Sequence, residues 1–199
     1  MVVEGSKLKE KLIMEGTKIV QTEGMKHISL RRVAEICGVT HSSPYRHFAN
    51  KNDYLKALVG QISIVFGSSI AKGITGDMKS EDILLKMGLN FVDFANNFPN
   101  YFDVLFLGDY IAHTKVKNNK LSADEYLPGF EEFKSIVQKV SSDNNISIEE
   151  DIEVVQLWSF IVGFALIVGK KDVVDVKSDW IKKVISQMIK TYIVGNQKE

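Results

Sequence analysis

The sequence predicts an all-α protein: a small three-helix head carrying a helix-turn-helix, joined to a larger helical bundle. Three observations predict it. Apolar residues recur at helical spacing along most of the chain, with no strand-like alternation and no internal repeat. Helix breakers are sparse, and the only prolines are Pro44, Pro99 and Pro128. Apolar residues make up 45% of the 199 positions, enough for burial to offset the entropy of ordering the chain.

The first helix is expected from about Lys7 to Glu23, with Leu8, Leu12, Ile19 and Val20 on one face and Gly24 ending it. Ser29 is placed to cap a second helix, in which Leu30, Val33, Ala34 and Cys37 follow the i, i+3, i+4, i+7 pattern until Gly38. Thr40 is expected to cap a very short third helix ending near His47. Asn50, with Asp53 three residues on, caps a fourth. Ser80, Pro99, Pro128, Ser147 with Glu150, and Ser178 mark the starts of further helices. The polar stretch from about Thr114 to Ser122 reads as an exposed, mobile loop.

Charge is unevenly spread, although the formal net charge is zero. Residues 1–60 hold ten Lys/Arg against six Asp/Glu, and the remainder holds fifteen against nineteen. A basic front on an acidic body suits a nucleic-acid-reading head. All three arginines, Arg31, Arg32 and Arg46, fall in one short segment. Arg is the better fork for phosphate and guanine edges. The single cysteine, Cys37, excludes an internal disulfide and sits at an apolar helical position, so it is expected in the core. The N-terminus lacks a signal-peptide core, and the most apolar run, Val154 to Val168, is shorter than the roughly 20 residues of a membrane span. A cytoplasmic protein with no membrane partner is expected.

Residues 29–48, SLRRVAEICGVTHSSPYRHF, have the helix, tight glycine turn and second short helix of a helix-turn-helix. The segment from Thr40 to His47 is too short to hold itself as a helix, so packing by Val39 and Phe48 must hold it. Its outward residues, His41, Ser42, Ser43, Tyr45, Arg46 and His47, all carry hydrogen-bonding groups suited to bases and phosphates.

The run GVTHSSPYRHFANKNDYL resembles the signature of the tetracycline-repressor (TetR) family of regulators. The matching positions are Ala34-Glu35, Gly38-Val39, Tyr45-Arg46-His47-Phe48, Lys51 and Leu55, and the likeness extends from about Lys7 to Leu58. The resemblance implies a bacterial-type transcriptional regulator with a DNA-binding domain over 1–50 and a helical ligand-sensing and dimerisation domain over 51–199. Tyr45, His47 and Lys51 would contact phosphates, Lys51 with help from its helix N-terminus. Thr40 would cap and touch the DNA backbone, while His41, Ser42 and Ser43 would read bases. Arg46 fits a base contact, a phosphate contact or a solvated charge, and Phe48 belongs to the core. Partners would be a palindromic double-stranded operator, a second copy of the chain, and a small, largely apolar effector whose binding releases a repressor from DNA.

In the second domain, the runs from Asn97 to Phe106 and from Trp158 to Gly163 resemble the subgroup with a WHG-type C-terminal domain, although Val162 stands where that group has His. The last two helices are apolar around much of their surface, which requires burial on more than one side. A two-fold four-helix bundle is therefore expected, with Val154, Leu157, Trp158, Ile161, Ile181, Val184, Ile185 and Met188 at the dimer interface. Phe91, Phe94, Phe102, Phe106, Tyr110, Phe133 and Trp158 are candidates to line an apolar pocket, against the plainer reading of an aromatic core. His27 and His113 have no partner pattern. The sequence has no nucleophile elbow, phosphate-cradling glycine loop or metal-ligand spacing. No enzymatic activity, cofactor or metal is therefore expected. A ligand-independent architectural or protein-recruiting factor is the alternative, differing in having a solid body.

Overall fold

The computed structural model describes residues 2–108, 114–123, 127–146, 149–169 and 177–197. Helix α1 (Val2–Glu23) is followed by α2 (Leu30–Cys37), α3 (Lys51–Ile70), α4 (Ser80–Asn97) and the short α5 (Pro99–Phe102). A small hairpin of β1 (Thr114–Lys117) and β2 (Lys120–Ala123) precedes α6 (Pro128–Asp143), α7 (Glu150–Val168) and α8 (Ser178–Asn196). The all-α expectation holds.

Several ends form as the residues dictate. The Ser29 side chain accepts from the Arg32 N–H, and Gly38 closes α2 in the left-handed conformation at φ 73°. Asn50 Oδ1 accepts from the Asp53 N–H at 3.0 Å, while Asp53 Oδ2 accepts from the Ala49 N–H at 3.0 Å. This is a reciprocal cap reaching one residue further back than the usual box. Ser80 and Ser178 are the first residues of their helices rather than caps. The Ser80 hydroxyl instead donates to Asp143 Oδ2 at the end of α6. α7 begins after Glu149, and Ser147, expected as its cap, lies outside the described residues.

Three expectations need correction. The third helix is not α-helical: residues 43–46 form a single 3-10 turn after a turn at 41–42. The helix from Pro99 makes one α-turn and then widens into a π-helical turn, Asp103–Leu107. The stretch read as a loop from Thr114 contains the antiparallel hairpin, in which Lys117 pairs with Lys120. Its two-residue turn is Asn118-Asn119, both at positive φ, the conformation that matches strand twist and that Asn tolerates. Thr114, Val116, Leu121 and Ala123 share one face of the hairpin and Lys115, Lys117, Lys120 and Ser122 the other, an alternation that at four residues a strand is too short to stand out from the polar stretch around it.

One continuous apolar cluster runs from Leu12 through α3 and α4 to Tyr192 in α8. Helix α3 belongs to both ends of the molecule. Its first turns are fixed in the head, where the Tyr54 hydroxyl donates to the Leu12 carbonyl at 2.7 Å and the ring meets Phe48 edge-on. Gly16 makes this approach possible, since a Cβ there would collide with the Tyr54 oxygen. At the other end, the buried Asn90 amide donates to the carbonyls of Ile70 and Lys72, both at 2.8 Å. These bonds satisfy carbonyls that a helix end leaves without partners.

Helix α7 contains an 18-residue stretch of mean hydropathy 1.8, long and apolar enough by composition to cross a membrane, contrary to the expectation from length. Its inward residues Val154, Leu157, Trp158, Ile161 and Ala165 are buried in the core of the single chain.

Candidate functional site

The molecule presents two surfaces of interest, and the first is the turn after α2 in the head. Val39 N–H bonds to the Ala34 carbonyl, and Pro44 is buried beneath the 3-10 turn. The missing donor of Pro44 falls at the second residue of that turn, where no partner is required. Thr40 does not cap, because the cap position is taken by Ser42, which makes no side-chain bond to the turn's N–H groups; the Thr40 hydroxyl instead lies 3.1 Å from Ser42 Oγ and 2.8 Å from Ser43 Oγ, and its carbonyl accepts from the Ser43 N–H. This hydroxyl cluster stiffens a turn too short to stabilise itself. Packing of Phe48, 2% exposed, holds its far end.

Thr40, His41, Ser42, Tyr45, Arg46 and Lys51 are all exposed, and Ser43 and His47 are half-exposed. Tyr45 is 59% exposed, so burial in the core does not account for this aromatic residue. Lys51 is the first residue of α3, beside the N–H groups of a helix N-terminus. Arg46 forms no ion pair among the described residues, whereas the other two arginines are engaged. Arg32 makes a two-pronged contact with Glu23, at 2.7 and 2.6 Å. Arg31 Nε donates to Glu35 Oε1 at 3.2 Å. The same oxygen lies 3.0 Å from His41 Nε2. Hydrogen bonds from Arg31 first, and His41 second, hold the Glu35 carboxyl below its ordinary value. Sequence reasoning missed this restraint on His41, whose only signal is an acid six residues earlier on the preceding helix.

The second surface of interest is internal. A cavity of about 30 Å³ lies between α3, α4, α6, α7 and α8, with an almost wholly apolar lining. Of the aromatic residues expected around a pocket, Phe91, Phe133 and Trp158 line it. Phe94, Phe102 and Phe106 do not: they form a second layer, with Phe106 against Phe66, Phe91 and Trp158, and Phe94 against Phe66 and Phe98. Tyr110 lies outside the described residues. Phe66, Met87 and Met188 were missed as lining residues because nothing local distinguishes them from ordinary core.

The residues expected at a dimer interface divide in the same way. Val154, Leu157, Trp158, Ile161, Ile181 and Ile185 are buried within the single chain, and Leu157, Trp158, Ile161 and Ile185 line the cavity. They are core residues and need no partner to cover them. Only Val184 and Met188 reach the outer face, where they border a groove with Phe160 and Trp180. The exposed large apolar residues of α7 and α8 are Ile152, Ile167, Trp180 and Val194, of which Trp180, 51% exposed, lines this groove. Among the described residues, no group of three or more metal-ligating side chains comes together.

A helix-turn-helix head with α3 passing into a helical body around an apolar cavity defines a two-part helical architecture. Solved structures share it. The chain is similar to a putative TetR-family transcriptional regulator from Rhodococcus sp., at 15% identity over 94% of this chain and 99% of that one, TM-score 0.67. It is similar to RolR, solved in complex with resorcinol, at 11% identity over 100% and 92%, TM-score 0.66. It is similar to AibR, solved with isovaleryl coenzyme A and operator DNA, at 13% identity over 90% and 96%, TM-score 0.61. No protein-family model and no curated protein matches the chain. The chain has the fold of the TetR-family regulators.

Proposed function

We propose that this chain is a sequence-specific DNA-binding transcriptional regulator that works in the cytoplasm as a homodimer. The observation that carries the reading is the exposed turn from Thr40 to His47, stiffened by its own hydroxyls and flanked by Lys51 at a helix N-terminus. Ser42, Ser43 and His41 read base edges there, and Tyr45, His47 and Lys51 anchor phosphates. Arg46, which forms no ion pair among the described residues, offers its guanidinium to the same surface. The solved complex of AibR with operator DNA supports the reading.

The dimer forms through the outer faces of α7 and α8, centred on Phe160, Ile167, Trp180, Val184 and Met188. Phe160 stacks on Phe164, which meets Trp180, so the patch is already rigid. A Cβ on Gly163, in the same helix, would touch nothing within 4 Å, leaving room for a partner helix. Two heads roughly 34 Å apart match successive major grooves, which makes the operator palindromic.

The protein acts as a repressor, released when a small, largely apolar effector occupies the internal cavity and favours one arrangement of the heads over another. At about 30 Å³ the cavity is little larger than a water molecule, so an effector must displace side chains; Met87 and Met188 are the adaptable ones. A regulator that needs no ligand is the second reading, favoured by that same small volume.

Selection of bound duplexes from a random pool tests the function. A palindromic consensus with half-sites about one helical turn apart is expected, and no enrichment at low salt overturns the reading. Calorimetry of operator binding with and without a candidate effector separates the two readings, because a released repressor must show coupling.

A further inference from the structure

The apolar cavity lies next to a groove on the surface. Ile70, Met87 and Gly129 line both the cavity and this open groove of about 540 Å³ between the end of α3, α4 and the start of α6. The lining of the inner space is apolar apart from the indole of Trp158, so the part of a ligand that enters it must be largely apolar. The polar side chains on the groove are Glu131, Glu132 and Ser135, with no Lys or Arg among its lining residues. Lys134 lies 3.4 Å from Glu131 and offsets that carboxylate. Glu132 forms no ion pair among the described residues. The N-terminal pole of α6, which would otherwise favour an anion, has Glu131 in its first turn.

We propose that the effector is an amphiphile with an apolar tail and a positively charged head, an alkylammonium rather than a carboxylate or acyl-phosphate compound. The tail passes between Ile70, Met87 and Gly129 into the cavity, and the head stays in the groove beside Glu132 and Glu131. This rests on the reading that the cavity is the effector site. Met87, at the boundary, has the unbranched flexibility needed to move aside for the tail.

The test uses the Trp180→Phe protein, which leaves Trp158, on the cavity wall, as the sole indole. Its emission is followed on titration with octylammonium, octanol and octanoate at neutral pH. The expected order of affinity is octylammonium, then octanol, then octanoate, with about tenfold between the two ions. Added Glu131→Gln and Glu132→Gln substitutions, both at exposed positions, should bring the three within about twofold. If octanol binds but octanoate matches octylammonium, or the order survives in the double variant, the head-group assignment is overturned while the cavity reading stands. If none of the three alters Trp158 emission, the cavity is not an effector site and both fall.

Discussion

The Tyr101 hydroxyl donates a 3.0 Å hydrogen bond to the main-chain carbonyl of Thr17, 84 positions earlier. One turn further along α1, the Gln21 carbonyl accepts from the Asn100 amide at 2.8 Å. The ring of Tyr101 stacks on Phe98, which meets Phe94. The body is thus bonded directly to the first helix of the head, in addition to the continuous helix α3. Two connections of different kinds fix the orientation of the head more firmly than one hinge.

Removing one of them is informative. Tyr101→Phe keeps the packing and deletes the bond, so it should lower unfolding free energy by about 1 kcal/mol. Urea denaturation measures this. If the bond also transmits effector binding, the variant should lose part of the coupling between effector and operator while binding each alone normally. An unchanged denaturation midpoint would show that water replaces the bond without penalty.

Two substitutions in the head separate anchoring from reading. Lys51→Ala should weaken binding to every duplex and reduce the salt slope by about one. Ser42→Ala should leave the slope alone and change sequence preference. Fluorescence anisotropy over a salt series, on operator and scrambled duplexes, reports both. A specificity change without a slope change in Lys51→Ala would reverse the assignments.

The Glu35 carboxyl is held below the ordinary value of 4.5 by Arg31 and His41. A carboxyl depressed on folding stabilises above its ordinary value and ceases to do so as the pH falls through its folded value. The wild-type chain should therefore exceed Glu35→Gln in thermal stability at neutral pH, and the difference should vanish only below 4.5. Thermal melts across this range check the sign. The same variant frees His41 and removes a negative charge beside the reading surface, so its non-specific DNA affinity should rise about two- to fivefold.

Ile167→Glu with Trp180→Glu places two charges on the face proposed to pair the chains. Sedimentation should then give the monomer mass, circular dichroism should keep its helical signal, and affinity for a two-half-site operator should fall at least about tenfold. Retention of the dimer would move the interface elsewhere.

The sequence by itself determined the elements whose causes are local. The Ser29 cap, the Gly38 turn and the Asn50–Asp53 cap depend on residues within four positions of each other, and all form. The hairpin was legible in principle from Asn118-Asn119, a turn signal between two four-residue strands in which Val116 and Leu121 alternate with lysines too briefly to stand out. Periodicity can show that a helix buries several faces, but not which neighbour covers each. Only the tertiary structure divided Phe91, Phe133 and Trp158, at the cavity, from Phe94, Phe102 and Phe106, in the layer behind them. Only it assigned Leu157, Ile161 and Ile185 to the interior of one chain. The physical reason is that burial is the sum of contacts from elements far apart in sequence, as Tyr101 and Thr17 are, whereas caps and turns are settled within one turn of backbone.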